Sequence, residues 1–243
     1  MKTSKILKLF GTTVLVALFV LGLGLCCVNR IKNHMRQNVS KEAIKKIETG
    51  INNGGEDITY EVPLSDFLAV DGELGEDDIS LADLLREMSD ISSEHETLTL
   101  IGIIEIPCID VKEPIWDSCS AAALRFGAGR FPQTCDIGED ANCTLFGHRM
   151  RQSKTIFWQL QMLEEHIGEE VIVTTTDGVR HRYKISDTLY AQDAEIDPYL
   201  SADLFDSEHL CIATCGYGQD PFNKEIYRPQ NTEFFVICVP DNQ

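Results

Sequence analysis

The sequence contains no C-x-x-C pair, although nine of its 243 residues are cysteine. Without that spacing, neither a cysteine zinc site nor a thiol–disulfide exchange motif is predicted. Basic residues are also few, because 21 Lys and Arg stand against 39 Asp and Glu and give a formal net charge of −18. A strongly acidic surface repels phosphate, so the composition argues against nucleic acid as a partner.

Charge is also absent from one long stretch near the N-terminus. No charged residue lies between Lys8 and Arg30, and residues 6–28 are almost wholly apolar. About twenty such residues can span a bilayer as a helix, whereas a cleaved signal peptide has a shorter apolar region and a small-residue cleavage site. Residues 1–32 therefore predict a cytoplasmic tail and an uncleaved transmembrane anchor. Basic residues flank the apolar run on both sides, so the positive-inside tendency barely favours either orientation.

The segment after the anchor, residues 33–96, has little apolar sequence. Isoleucines at helical spacing between residues 44 and 51 predict a short stalk helix. Residues 56–96 are strongly acidic, which is typical of a solvated segment. A second apolar stripe at helical spacing lies within residues 80–88, behind a serine that can cap the helix. We expect a partly helical, acidic spacer that docks on the following domain.

From residue 97 onward, short strand-like segments alternate with turns. Residues 98–106 predict a strand pair or one long strand kinked at Gly102. An Asp-Gly pair at residues 177–178 lies between two alternating segments and predicts a hairpin, while residues 156–163 have a helical pattern. Many short strands and few helices predict an all-β fold that closes into a barrel, because closure removes exposed sheet edges. The domain is expected to cover residues 97–243.

Two of the predicted strands end at chemically reactive side chains. The apolar run 210–214 stops at Cys215, and a second apolar run ends in Gly147 and then His148. A thiol at a strand exit is often a buried core residue, but a nucleophilic cysteine needs a base or an electrostatic partner, and His148 supplies one. Arg228, just before another strand-forming segment, can direct a fixed cationic fork at a developing oxyanion.

The order and spacing of these residues resemble the sortases, a family of cell-surface cysteine transpeptidases. The resemblance covers roughly residues 98–239. The matching segments are Ile101-Gly102-Ile103-Ile104-Glu105-Ile106-Pro107, Pro114-Ile115, residues 124–129, Asn142, Gly147-His148-Arg149, Thr214-Cys215 and Arg228. The sequence departs from the family pattern at Cys211 and Ile212, where the family often has Thr-Leu, and at Pro229, which follows the arginine.

The resemblance implies a closed eight-stranded sortase barrel outside the cell, held to the membrane through residues 6–28. It implies cleavage of an LPxTG-like signal at the C-terminus of secreted proteins through a thioacyl-enzyme, with transfer to an amine of lipid II or of a pilin lysine. It further implies that neither a metal nor a cofactor is used. The implied site residues are the catalytic His148, Cys215 and Arg228 and the substrate-binding Asn142, Ala213, Thr214 and Gly216.

Several alternatives remain open from the sequence. A cysteine peptidase acting mainly by hydrolysis would use the same residues, and a non-catalytic surface module would bury Cys215. The acidic segment could be a lid, as in some pilin-assembling sortases, but the lid's usual Asp-Pro-aromatic anchor is absent from it, which favours a spacer. Five other cysteines could form disulfides or remain thiols, namely Cys108, Cys119, Cys135, Cys143 and Cys238.

Overall fold

The computed structural model describes residues 2–50, 57–63, 95–150, 155–192, 195–215, 218–219, 227–228 and 232–241. The chain divides into two compact units, Met1–Asn38 and Val39–Gln243. Within the residues described, no helix has both the length and the apolar character needed to cross a membrane. The helix predicted within residues 80–88 lies outside the described residues.

Two α-helices and thirteen strands form the described part of the chain. The helices are α1 (Lys2–Glu48) and α2 (Ala121–Phe126). The strands are β1 (Ile58–Pro63), β2 (His95–Ile106), β3 (Val111–Trp116), β4 (Ala128–Arg130), β5 (Asn142–Phe146), β6 (Arg149–Met150), β7 (Thr155–Ile156), β8 (Glu170–Thr175), β9 (Arg180–Gln192), β10 (His209–Cys215), β11 (Gly218–Gln219), β12 (Tyr227–Arg228) and β13 (Thr232–Pro240). Short 3-10 helices fill the connections at Pro107–Ile109, Leu160–Glu165, Asp197–Leu200 and Ala202–Leu204.

The strands close into a barrel. Eight of them follow the order β2-β3-β4-β5-β10-β13-β9-β8, and pairing of β2 with β8 closes the circle. The predicted all-β, closed eight-stranded barrel is therefore confirmed. Strand β2 is irregular between Leu100 and Gly102, where its register with β3 shifts. A Cβ at Gly102 would lie 2.9 Å from the carbonyl oxygen of Thr174, so the close approach of β8 explains why the kink falls at a glycine.

The barrel has one interior core and one outer cluster. The interior core draws apolar side chains from nearly every barrel strand, including the fully buried Phe234 and Tyr183. The outer cluster joins Ala43 and Ile47 of α1 to Val62 of β1 and Trp116 of β3. The end of α1 and the added strand β1 therefore pack on the barrel, although the sequence placed both in a stalk.

Local expectations for the barrel connections were partly right. The predicted hairpin forms from β8 and β9, and Gly178 takes a positive φ of 86° in its turn. The Asp177 carboxylate accepts hydrogen bonds from the Thr175 hydroxyl and the Val179 amide, which lower its pKa. The helix predicted over residues 156–163 is wrong in its first half, because Ile156 belongs to β7 with a φ of 55°.

Buried thiols make the free energy of unfolding depend on alkaline pH. Burial raises the pKa of Cys211 to about 12, and burial also raises the pKa of Cys143 and of Cys238. An unfolded thiol ionises near pH ~8.5, so above that pH the unfolded chain binds fewer protons than the folded chain. We therefore expect these thiols to leave the free energy of unfolding unchanged at neutral pH. Above the pKa of the unfolded thiol, the free energy of unfolding should fall by up to about 1.4 kcal/mol per pH unit for each thiol.

Denaturant unfolding followed by tryptophan fluorescence between pH 7 and 10.5 measures this slope. The matched variant Cys211→Ala removes one titrating group and should flatten the decline. A free energy of unfolding that stays constant across that range, or a slope unchanged in the variant, would contradict the assignment.

Candidate active site

Strands β5 and β10 are parallel neighbours, and they end at the same edge of the barrel. Their register pairs Phe146 with Ala213. Beyond that pair, the Gly147 amide donates to the Ala213 carbonyl at 3.0 Å, and the Thr214 hydroxyl donates to the Gly147 carbonyl at 2.7 Å. His148 directly follows Gly147, and Cys215 directly follows Thr214. Since paired strands lie about 4.8 Å apart, the backbone brings the predicted base and nucleophile side by side.

A short hairpin returns Arg228 towards this edge. Strands β11 and β12 pair antiparallel, with Gly218 opposite Arg228. Gly218 is three residues beyond Cys215, and consecutive Cα atoms are about 3.8 Å apart, so the two Cα atoms lie within roughly 11 Å. The backbone topology therefore places Arg228 on a strand that pairs with the segment following Cys215.

The backbone around His148 is held by β7 and by the residue that follows it. The His148 side chain is half-buried. The backbone carbonyl of His148 accepts a hydrogen bond from the Phe157 amide at 3.2 Å. Arg149 pairs with Ile156 across β6 and β7. Ile156 and Phe157 are both fully buried, so the loop that carries His148 rests on packed core.

Three of the predicted substrate-binding residues are buried. Ala213 and Asn142 have no exposed surface, and Thr214 is 1% exposed. The Asn142 amide nitrogen donates to the Ser201 carbonyl at 2.9 Å and to the Tyr199 carbonyl at 3.3 Å. Their described contacts therefore hold the strand ends and the connection between β9 and β10. As substrate-binding residues they stay predictions, and Gly216 lies outside the described residues.

The sequence pattern did not predict that the connection between β9 and β10 belongs to this region. The Thr144 hydroxyl donates to the Tyr199 carbonyl at 2.6 Å, and the Tyr199 ring stacks on Phe235 with centroids 4.6 Å apart. Phe235 also contacts Phe146 edge to face at 6.2 Å. An aromatic side chain in an irregular segment gives no signal of its distant partner, so only the structure reveals this anchor.

Six cysteines of the barrel other than Cys215 are thiols with little tendency to react. All six are free. Burial raises the pKa of Cys119 to about 12 and that of Cys135 to about 11, and the rest shift in the same direction. Because the thiolate is the reactive form, none of these six is suited to nucleophilic attack at neutral pH.

Gly147 has no room for a side chain. A Cβ there would lie 2.3 Å from Cδ2 of Phe157 and 2.9 Å from Cγ2 of Ile156. We expect Gly147→Ala to lower the free energy of unfolding by about 1–3 kcal/mol through overpacking and to displace the adjacent His148, which lowers activity. Denaturant titration and turnover assays measure both effects.

A glycine in open surroundings provides the matched control for that substitution. Among the described residues, a Cβ at Gly22 of α1 meets no other atom within 4 Å, so Gly22→Ala should leave both quantities unchanged or improve stability slightly. Equal behaviour of the two alanine variants would contradict the packing argument at Gly147.

A comparison with models of protein families identifies the family to which this barrel belongs. A family model described as the Sortase domain matches residues 104–228, which is more than half of the 243 residues. The chain belongs to the sortase family. The match contains the predicted histidine, cysteine and arginine positions, and sortases are cysteine transpeptidases.

Solved structures similar to this sortase come from several bacteria. A Clostridium perfringens sortase D5 transpeptidase is 22% identical, with 58% of this chain and 78% of that chain covered and a TM-score of 0.46. Listeria monocytogenes sortase A is 18% identical, with coverages of 59% and 88% and a TM-score of 0.47. A lid mutant of Corynebacterium diphtheriae sortase A is 17% identical, with coverages of 87% and 96% and a TM-score of 0.49. A comparison with curated proteins found no match.

Proposed function

We propose that this sortase is an active cysteine transpeptidase in which Cys215 is the nucleophile, His148 the proton donor and Arg228 the oxyanion-stabilising residue. The observation that carries the proposal is the parallel register of β5 and β10, which makes His148 and Cys215 the next residues at one edge of the barrel. The return of Arg228 opposite Gly218 supports it further. Burial raises the pKa of six other cysteines of the barrel, so they are poorly suited to the same role.

The proposed reaction has two halves. The Cys215 thiolate attacks the scissile carbonyl carbon, and the negative charge that develops on its oxygen is stabilised by the Arg228 guanidinium and by backbone amides. When the C–N bond breaks, His148 as imidazolium donates its proton to the leaving amine. The acyl group is then a thioester on Cys215. An incoming amine attacks that thioester, gives up a proton to His148 and releases the thiolate.

We propose that the substrate is an LPxTG-like signal near the C-terminus of a secreted protein, and that the acceptor amine belongs to lipid II or to a pilin lysine. Each step needs only a thiol, an imidazole and a guanidinium, so no metal or cofactor is required. We propose that Gly216, which has no side chain, lets the substrate backbone approach closely. We propose that Ala213 and Thr214 shape the substrate site from the end of β10, whereas Asn142 lies at the opposite end of β5 and would act only by holding that strand.

The cellular placement that we propose follows from the sequence of α1. Residues 6–28 hold a long uncharged apolar run, which fits a single membrane anchor by its length. The barrel would then be outside the cell, where secreted substrates and cell-wall acceptors are found. Orientation is proposed on the family resemblance, because basic residues flank the run on both sides.

The function is tested by incubating the full chain in detergent micelles with sorting-signal peptides and a panel of amines, with products identified by mass spectrometry. We expect peptide–amine conjugates that are absent with Cys215→Ala. Release of the free acid alone, even at high amine concentration, would instead identify a hydrolytic cysteine peptidase. Absence of any Cys215-dependent product would favour a non-catalytic surface module.

A further inference from the structure

A carboxylate is buried behind the loop that carries His148. Glu113 of β3 is 9% exposed. It lies two residues from both Val111 and Ile115, on the same face of the strand, and both of these residues belong to the interior core. A buried charge is costly unless it is hydrogen-bonded. Its Oε1 accepts a hydrogen bond from the Ile156 amide at 3.1 Å, and its Oε2 accepts one from the Ser40 hydroxyl at 3.2 Å.

The first of these partners has an unusual backbone conformation. Ile156 has a φ of 55°, in the left-handed region that β-branched residues rarely adopt. Such a conformation persists only where the surroundings impose it. Here the Ile156 side chain is 1% exposed, its backbone pairs with Arg149, and its amide is held by the Glu113 carboxylate.

Ile156 and the next residue contact the backbone on both sides of His148. Phe157 donates its amide hydrogen to the His148 carbonyl at 3.2 Å, and its ring fills the space beside Gly147. Ile156 pairs with Arg149, directly after the histidine. The left-handed residue Ile156 therefore makes one of these contacts and directly precedes the residue that makes the other.

We propose that Glu113 is a positioning residue for His148, acting through Ile156, and that Ser40 extends this support to helix α1. This proposal rests on the proposed role of His148 as proton donor. The Glu113 carboxylate fixes the amide of Ile156, Ile156 and Phe157 fix the backbone of residues 147–149, and that backbone sets where the imidazole lies relative to Cys215. Ser40 holds the second carboxylate oxygen from the helix that precedes the barrel.

Four variants of the full-length protein test this series of contacts. Glu113→Leu removes both hydrogen bonds, and we expect kcat to fall about 10- to 100-fold, since small misplacements of catalytic groups have effects of this size, with KM changed much less. Glu113→Gln keeps an acceptor oxygen and should retain most of the activity. Ser40→Ala should give a smaller loss than Glu113→Leu. Glu105→Gln is the matched control, because Glu105 lies on the adjoining strand in a surface ion pair with Lys112.

A second readout does not require turnover. In histidine-labelled protein, the His148 resonance, assigned with His148→Gln, should titrate with a changed midpoint in Glu113→Leu, and hydrogen exchange at the Phe157 amide should accelerate. The β8–β9 hairpin should exchange as in the parent protein. If Glu113→Leu does not fold, the same measurements on Ser40→Ala decide, because that variant removes the hydrogen bond to the second carboxylate oxygen.

Parent-like kcat, His148 titration and Phe157 exchange in Glu113→Leu, or in Ser40→Ala where Glu113→Leu does not fold, would overturn the positioning role. Failure of the parent protein to process any peptide would overturn the proposed function alone. In that case, the titration and exchange measurements would still decide whether Glu113 positions His148.

Discussion

Replacing Cys215 with alanine is expected to lower kcat for transpeptidation by about 10⁴-fold or more, because loss of a covalent nucleophile removes the pathway through the thioester. Initial rates of peptide–amine product formation, followed by mass spectrometry, measure the loss. The substitution should leave the strand pairing of β10 intact, since backbone hydrogen bonds to β5 and β13 do not depend on the side chain.

Cys211→Ala is the matched control for this variant. Cys211 lies on the same strand and is fully buried, so its loss should cost some stability but leave turnover close to that of the parent protein. Residual turnover in Cys215→Ala within tenfold of the parent, on the order of 1.4 kcal/mol in the barrier, would show that another group performs the attack.

Replacing His148 with alanine is expected to lower kcat/KM by about 10²- to 10⁴-fold, the usual contribution of a general acid or base. The pH dependence should change as well, because the limb that reports the imidazole disappears. Added imidazole should restore part of the lost rate if the vacated space admits it. Steady-state rates between pH 5 and 9, with and without imidazole, measure both effects.

His95→Ala serves as the control for that experiment. His95 is exposed at the start of β2, opposite Pro63 of β1, and its removal should change neither the rate nor the pH profile. A pH profile in His148→Ala with the same limbs as the parent protein would assign the titrating group to another residue.

The ends of the catalytic strands were the most predictable part of the site. An apolar run that stops at a glycine predicts a strand exit, and this rule placed both His148 and Cys215. What the rule lacks is the partner of each strand. The parallel pairing of β5 with β10 joins residues about 67 positions apart, as in the Thr214 to Gly147 hydrogen bond, and no local pattern encodes it.

In the outer layer, the sequence contained a strand pattern, but the acidic composition around it favoured a different interpretation. Residues 58–62 alternate apolar and polar side chains, with Ile58 and Val62 buried in the structure. That alternation is typical of a strand, yet the acidic surroundings suggested a solvated spacer. Pairing with β2 supplies the partner that the segment needs. A period-two pattern within an acidic region therefore indicates an edge strand when a barrel follows.

The network behind His148 was not predictable. Ile156, Leu160 and Leu163 recur at helical spacing and are all buried, so their pattern correctly predicts burial. The Ile156 amide is bound by Glu113, 43 positions away, and a sequence pattern contains no information about such a contact. The same limit applies to Asn142, whose amide binds carbonyls more than fifty residues along the chain.

The central claim is that Cys215 forms a thioester with the acyl half of a sorting signal. Rapid acid quench of the full chain mixed with an LPxTG-like peptide, followed by intact-protein mass spectrometry and proteolytic mapping, tests it most directly. The account predicts an added mass equal to the acyl fragment, located at Cys215, lost on addition of an amine and absent from Cys215→Ala. An adduct at another cysteine, or none with any sorting peptide, would contradict it.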